Sequence, residues 1–333
     1  MATYNGAAHL QEQLASLAMQ TQLPVEVQVG DDGSTDSTIA ILQEFAASAP
    51  FPVMITSNPT QLGYGENFMQ AAKRCSGEWI AFCDQDDVWL PEKLARCAAI
   101  IASADERLRL VVHNATVTDD KLVAIGPLDK GPFGTFDQLA LSPYWFAHGF
   151  RMVFQCGLIA NLPIETRPMG WLSYTKAHDN WIAMAAAISG TIVSTADELV
   201  QYRRHAQTAT GLMISKNPDV TDLMTNNGLH YRNESKAFAE LADYVAAARA
   251  ASGQAEWQGP LGSSYQAVNR YARMLAARAD LYLDGALSAR IAALLKLVAM
   301  QAYWGSNGWH LPLRSAAKDL FSIFSGRRTG AVP

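Results

Sequence analysis

Through its first two-thirds the chain alternates between two spacings of apolar positions. Leu10, Leu14 and Leu17 recur at helical intervals and predict a helix over residues 8–19. Val25, Val27 and Val29 alternate with Glu26 and Gln28, which predicts a strand that ends at Gly30-Asp31-Asp32-Gly33. Ile39, Leu42 and Phe45 give a second helix over residues 34–47, with Thr35 or Ser37 placed to cap it. The same reading predicts strands at 53–55, 78–83, 109–113 and 191–193 and helices at 67–75, 93–102 and 178–189. A β-α-β-α rhythm of this kind predicts an α/β domain with a mostly parallel sheet between helices. Residues 119–142 lack periodicity and read as a loop, and beyond Gly211 the pattern turns helical and Ala-rich over 220–251 and 264–304. A boundary near Gly211 is therefore expected, with domains at 1–211 and 212–333. Only a few residues precede the Asn5-Gly6 turn, where a sheet of this type needs a first apolar strand. Either that strand is stubby or coding continues upstream of Met1, and the second is the expectation.

Composition narrows the class. The 333 residues are 49% hydrophobic and 17% charged, which suits a globular protein with a sizeable core and fits neither disorder nor collagen-like repetition. A net charge of -5 argues against a general nucleic-acid binder. Cys75, Cys83, Cys97 and Cys156 show no C-x-x-C spacing, so unpaired thiols in a reducing cytosol are expected. No run reaches the ~18 apolar residues of a spanning helix.

Asp84-Gln85-Asp86-Asp87 follows the apolar run Trp79-Ile80-Ala81-Phe82-Cys83. Carboxylates crowded at a strand's carboxyl end repel one another and lose hydration. A hard divalent cation, Mg²⁺ or Mn²⁺, offsets that cost with oxygen ligands and commonly bridges such acids to substrate phosphates. Ligands in open α/β sheets also bind at the carboxyl ends of strands. The alternative is an acidic turn that caps the helix beginning near Pro91. If the segment stays extended, Asp84 and Asp86 of this D-x-D spacing point the same way.

Taken in order, Ala2-Thr3-Tyr4-Asn5-Gly6, Asp31-Asp32-Gly33-Ser34-Thr35-Asp36 and residues 77–87 resemble family 2 glycosyltransferases of the GT-A fold. His178-Asp179-Asn180-Trp181 and Tyr202-Arg203-Arg204-His205 look like the rhamnosyltransferase-like branch. The resemblance implies a metal-dependent inverting transferase that moves a sugar from a UDP- or dTDP-sugar, dTDP-rhamnose by branch, to a hydroxyl of a cell-surface glycan or lipid-linked acceptor. It implies that Thr3, Tyr4, Asp32 and Asn67 contact the nucleotide, with Asp32 accepting the base imide N–H. An N-cap role is the alternative for Asn67. Asp86 would bind the metal, Asp84 would contact ribose or share the metal, and Asp87 would lie toward the sugar or acceptor. Asp179 would be the general base, with helix capping as its alternative and His178 as a second candidate. Arg204 or His205 would close over the diphosphate, His205 being favoured because Tyr-Arg-x-His is the recurring form, and His205 would also ligate the metal. The family often continues with Gly-Asn-Asn, where this chain has Ala206-Gln207-Thr208.

Other residues stay open at this level. His113-Asn114 and His148-Gly149-Phe150 can line the sugar or acceptor pocket, and Trp145, Trp171 and Trp181 can stack on a sugar or pack in the core. A non-catalytic nucleotide-sugar-binding subunit and a metal-dependent nucleotidyltransferase are the rival readings. In the tail, Ile291, Leu294, Leu295 and Val298 share a helix face near Arg290, Lys296 and Lys318. That face can pack on the catalytic domain, pair with another subunit or lie on a membrane interface, with packing the default and a cytoplasmic protein at the inner face the third case.

Overall fold

The computed structural model describes residues 1–168, 177–205, 228–284, 286–305 and 308–324. Its strands are β1 (Ala2–Thr3), β2 (Val27–Asp31), β3 (Val53–Ser57), β4 (Trp79–Ala81), β5 (Val88–Trp89), β6 (Leu108–Thr118), β7 (Ala124–Pro127), β8 (Gly134–Phe136), β9 (Met152–Gln155) and β10 (Thr191–Arg203). Its helices are α1 (Leu10–Ala18), α2 (Thr38–Ser48), α3 (Tyr64–Lys73), α4 (Lys93–Ser103), α5 (Gly157–Asn161), α6 (His178–Ser189), α7 (Gly228–Ala251), α8 (Ala255–Leu283), α9 (Leu287–Ala299) and α10 (Leu313–Phe324). The chain divides into two compact units. The first takes residues 1–138, 145–164 and 175–212, and the second takes 139–144, 165–174 and 213–333.

The first unit carries two sheets. β1, β2 and β3 form a parallel sheet in that spatial order, with Ala2 opposite Gly30 and Thr3 opposite Asp31. Leu10, Leu14 and Leu17 of α1 pack with Val27, Val29 and Leu42 in one buried cluster, so the helical spacing in the sequence is a core-facing stripe. The second sheet runs β4-β9-β6-β10-β5, with β7 added to β6 and β8 to β10. Here only β6 and β10 are parallel to each other. The pairing is thus more mixed than the β-α-β rhythm implies, because β7, β8 and β9 return by way of a segment that the sequence marked as loop. β6 and β10 also run far longer than the short apolar cores that signalled them. A crevice of about 390 Å³ opens inside this unit, walled by Val25, Val27, Ile80, Phe82, Ile101 and Val153 and by the thiols of Cys75, Cys83 and Cys97.

The second unit is helical in its described part. The long helix expected over 264–304 is two helices, α8 and α9, with Asp284 and Ala286 extended between them. α8 begins earlier than its apolar pattern, at Ala255, and carries Pro260 inside it. α7 begins at Gly228, and the earlier part of the helix expected over 220–251 lies outside the described residues, as do Trp171, Ala206-Gln207-Thr208 and the boundary residue Gly211.

Candidate active site

The loops after β1 and β2 are stitched together by side chains. Asn5 takes a left-handed backbone (φ 47), its N–H donates to Ser34 Oγ at 2.9 Å, and its Oδ1 accepts from Thr35 N at 2.8 Å. Gly6 N donates to Thr38 Oγ1 and Ala7 N to Asp36. Asp31 accepts from Gly33 N, Ser34 N and the hydroxyls of Ser34 and Thr3. These bonds use up short polar side chains that the sequence reading offered to a ligand or a cap. Thr3 is buried with its hydroxyl committed to Asp31 at 2.9 Å, whereas Tyr4 is 46% exposed. Neither Thr35 nor Ser37 makes a side-chain cap on α2.

Asp32 is buried and accepts from Asn58 Nδ2 at 2.9 Å, Leu62 N at 2.7 Å and Gly63 N at 2.8 Å. Three of the roughly four acceptor positions of a carboxylate are therefore filled by the 58–63 loop. Asn67 is corrected on both of its readings. It sits inside α3, whose N-cap is Gly63 at φ +82, and it is buried with Nδ2 donating to Gly30 O at 2.8 Å and Oδ1 accepting from Asn58. A Cβ on Gly30 would lie 2.2 Å from Asn67 Oδ1, so Gly30 and Asn67 form a packed pair that holds β2 against α3 and leaves no surface for a nucleotide.

The acidic stretch is neither a strand nor a helix cap. The backbone bends at residues 85–86, β5 then intervenes, and α4 opens with Glu92 at its N-cap and no side-chain cap. Gln85 explains the bend. Its Oε1 accepts from Tyr4 N at 2.9 Å and its Nε2 donates to Tyr4 O at 3.1 Å, so one side-chain amide pairs with both backbone polar groups of Tyr4. A Cβ on Gly6 would sit 2.2 Å from Gln85 Oε1, so close approach demands glycine there.

Asp86 Oδ2 lies 2.9 Å from His205 Nε2, which brings together the two residues expected to ligate metal. Burial first, then the charges of Asp86 and Asp179, pushes Asp84 up to about 7. Asp87 is fully buried, accepts from Arg203 N at 3.1 Å and leaves Oδ2 without a partner among the described residues. Burial first, then the charges of Asp84 and Asp86, raises its carboxyl well above the ordinary carboxylate value. Two buried cations support the stretch. Lys93 donates to Phe150 O at 2.8 Å, lies 3.4 Å over the Trp89 ring and is lowered to about 8, by burial above all. Arg203 donates Nε to Asp86 O at 2.9 Å, Nη1 to Asp120 O and Nη2 to the Glu12 carboxylate. His9, at the start of α1, packs its ring 4.7 Å from that of His205 and reaches Asp120 at 3.4 Å. Sequence reasoning missed Lys93, Glu12 and His9. Of the three only Lys93 has a sequence signal, a charge on the apolar side of a predicted helix.

Asp179 is the second residue of α6, behind an N-cap at Ala177, and its Oδ1 accepts from Asn180 N at 2.8 Å. Burial raises its carboxyl, opposed by backbone N–H groups including that of Gly149. Its charge acts on both Asp84 and Tyr64, which places it in the electrostatic field of the acidic stretch. His178 is removed as a base. It stacks on Phe68 at 4.1 Å and meets Phe82 edge-on at 4.6 Å, neither ring nitrogen has a partner among the described residues, and burial lowers it to about 3. A Cβ on Gly149 would meet its Nε2 at 2.3 Å. His178 is a core aromatic in all but name.

Arg204 is half-buried, with its guanidinium 5.6 Å over Tyr202. Asn114 exchanges two hydrogen bonds with the backbone of Asp129, which settles its role as a loop anchor. His113 is buried with Nδ1 2.7 Å from Asn114 O, and His148, pushed down to about 4 by burial, packs near Phe150 and Tyr202. Trp181 is buried and Trp145 half-buried.

Among the described residues no three His, Cys, Asp or Glu groups converge as a metal site. A closed cage of four protein ligands therefore does not fit. The Asp86–His205 pair beside the strained Asp84 carboxyl does fit a hard cation that takes one or two protein groups and completes its shell with substrate oxygens. One consequence is testable without substrate. Asp84 binds its proton more tightly folded than unfolded, so its contribution to stability is greatest near and below 3.8 and is lost as pH rises through about 7. Some solvent access tempers the cost. In metal-free buffer Asp84→Asn is expected to stabilise the protein by ~2 kcal/mol at pH 8.5 and hardly at all at pH 4.5, as read by urea unfolding. No difference between the two pH values would remove the carboxyl strain from the account.

Residues 1–158 match the family model described as glycosyl transferase family 2. A dTDP-rhamnosyl transferase of Shigella flexneri, RfbG, is 33% identical over 131 residues, covering 38% of this chain and 42% of the relative. An uncharacterized protein of Mycobacterium tuberculosis is 38% identical over 208 residues, covering 61% of this chain and 57% of its own. The chain thus spans about half the length of these relatives. The crystal structure of S. aureus TarS residues 1–349 in complex with UDP-GlcNAc superposes with a TM-score of 0.52 at 20% identity over 90% of both chains, a likeness of fold. The α/β GT-A class with C-terminal helices stands, and the match to glycosyl transferase family 2 takes in a little under half of the chain.

Proposed function

We propose that the protein is a metal-dependent inverting glycosyltransferase that moves a sugar from a UDP- or dTDP-sugar to an acceptor hydroxyl. The observation that carries this reading is that Asp86 of the acidic stretch and His205, 119 positions apart in sequence, meet with Oδ2 2.9 Å from Nε2. Asp86 and His205 would hold Mg²⁺ or Mn²⁺, which when bound stabilises negative charge on the departing diphosphate. Arg203 fixes the backbone of the acidic stretch from behind, and Arg204 on the adjacent position is offered to the phosphates. Tyr4, exposed and locked at its backbone by Gln85, packs against the base. Asp32 would read the base imide through its remaining acceptor position, or by exchange with the 58–63 loop. Thr3 and Asn67 shape the loops without touching donor. Asp179 takes the acceptor proton, and a single displacement inverts the anomeric configuration.

The similarity to RfbG makes dTDP-rhamnose the leading donor, and a hydroxyl of a cell-surface glycan or lipid-linked saccharide at the cytoplasmic side the leading acceptor. The first unit is the catalytic domain in this reading. In a thermal-shift screen, dTDP-rhamnose with Mn²⁺ is expected to raise Tm, and either component alone to raise it far less; ligand at 100 times its Kd adds ~2.7 kcal/mol. Nucleotide binding with no donor turnover on any acceptor would instead mark a binding subunit. Pyrophosphate release from a nucleoside triphosphate would mark a nucleotidyltransferase.

A further inference from the structure

Two helices of the second unit each carry an apolar stripe that the described residues leave exposed. On α9, Leu287, Ile291, Leu295 and Val298 are 52%, 41%, 62% and 44% exposed, and at 100° per residue they fall within one quarter of the helix circumference. The opposite side buries Ala293 and Leu297. On α10, Leu313, Leu320 and Phe321 are 70%, 48% and 72% exposed and share one side, while Ser315, Asp319 and Ile323 face inward. The helices touch, since Arg290 donates to Ser322 O. Trp304, just after α9, is 49% exposed.

The charges on these helices have one sign outward. α9 carries Arg290 and Lys296, and α10 carries Arg314 and Lys318. Their sole acid is Asp319, which is buried and held by Arg278 at 3.1 Å, Tyr282 at 2.7 Å and Tyr303 at 2.8 Å. By helical angle Arg290 lies about 60° beyond one edge of the α9 stripe and Lys296 about 100° beyond the other, and Arg314 and Lys318 follow one margin of the α10 stripe. A second copy is a poor match for this surface, because a two-fold interface sets each patch against itself and would bring like cations together. We infer that α9 and α10 form a docking surface for an anionic lipid bilayer, with the apolar stripes entering the headgroup boundary and the cations meeting lipid phosphates. No described helix is long and apolar enough to cross a membrane, so the contact is interfacial. It does not rest on the transferase reading.

The test is co-sedimentation of the full chain with vesicles of phosphatidylcholine alone or with added phosphatidylglycerol, at low salt and without donor or metal. Binding is expected only to the anionic vesicles and weakens as salt rises. Lys296→Gln with Arg314→Gln should lower the partition coefficient ~30-fold. Leu295→Glu with Phe321→Glu should abolish it. Leu295→Gln with Leu313→Gln is the milder variant, should the glutamates unfold the pair, and should lower it at least ~10-fold. Equal binding to neutral vesicles, no binding at all, or binding untouched by these changes overturns the inference. So does a dimer by light scattering that the Leu295→Glu and Phe321→Glu pair dissociates, which would assign the surface to a second copy.

Discussion

Asp179→Asn is expected to lower sugar transfer by ~10²–10⁴-fold while leaving nucleotide and Mn²⁺ binding close to wild type. The change is isosteric. Asparagine keeps the Oδ1 that accepts from Asn180 N at 2.8 Å, so the start of α6 should hold. What it loses is the charge and the basicity. Burial raises the Asp179 carboxyl against the opposing pull of the backbone N–H groups around it, which makes it a stronger base than an exposed aspartate. The adjacent imidazole, His178, is aromatic core with its pKa near 3 and offers no substitute. Titration calorimetry with nucleotide and Mn²⁺ checks binding, and single-turnover transfer checks the rate. A variant that binds and transfers within a factor of ten of wild type would place the base elsewhere. Because the raised carboxyl gains its proton as pH falls, transfer is also expected to decline on the acid side and not the alkaline side.

Arg203→Ala should cost ~3–5 kcal/mol of stability, the usual price of removing one partner from a buried charged network. Its guanidinium is 3% exposed and reaches three separate segments, through Asp86 O, Asp120 O and Glu12. Without it the carbonyls of Asp86 and Asp120 lose charged donors and the Glu12 carboxylate loses its partner. For a domain of this size the loss corresponds to a fall in Tm of ~6–20 °C. Arg203→Lys should not rescue it, because an ammonium is a single point charge and cannot span the positions that a planar fork reaches. Arg204→Ala, with a half-buried side chain and its backbone bond to Thr118 O intact, should cost far less. Equal losses for the two arginines would refute the division of labour between them.

The elements that periodicity identified most clearly are those with one apolar stripe, such as α1 and α4. The sheet was harder to read, since β6 and β10 continue past their apolar cores into polar sequence such as Asp197-Glu198, and pairing direction leaves no local mark. In the candidate site, the sequence placed the acids and the imidazole but not the division of work among them. Asn67, Thr3 and Asp31 are as polar as any ligand residue, and only three-dimensional packing reveals that their hydrogen bonds are spent inside the protein. Arg203 and Arg204 are indistinguishable in sequence. The pleat of β10 turns them to different environments, one beneath the acidic stretch and one over Tyr202.

The thiols that wall the crevice of the first unit follow from its apolarity. All four cysteines are unpaired, and burial holds Cys83 near 12 and Cys97 near 11, so at neutral pH almost none of either is thiolate, the form that alkylating agents and oxidants attack. Their modification must then wait on transient opening of the walls around them, and the two sulfurs act as internal clocks for how often this half of the molecule breathes.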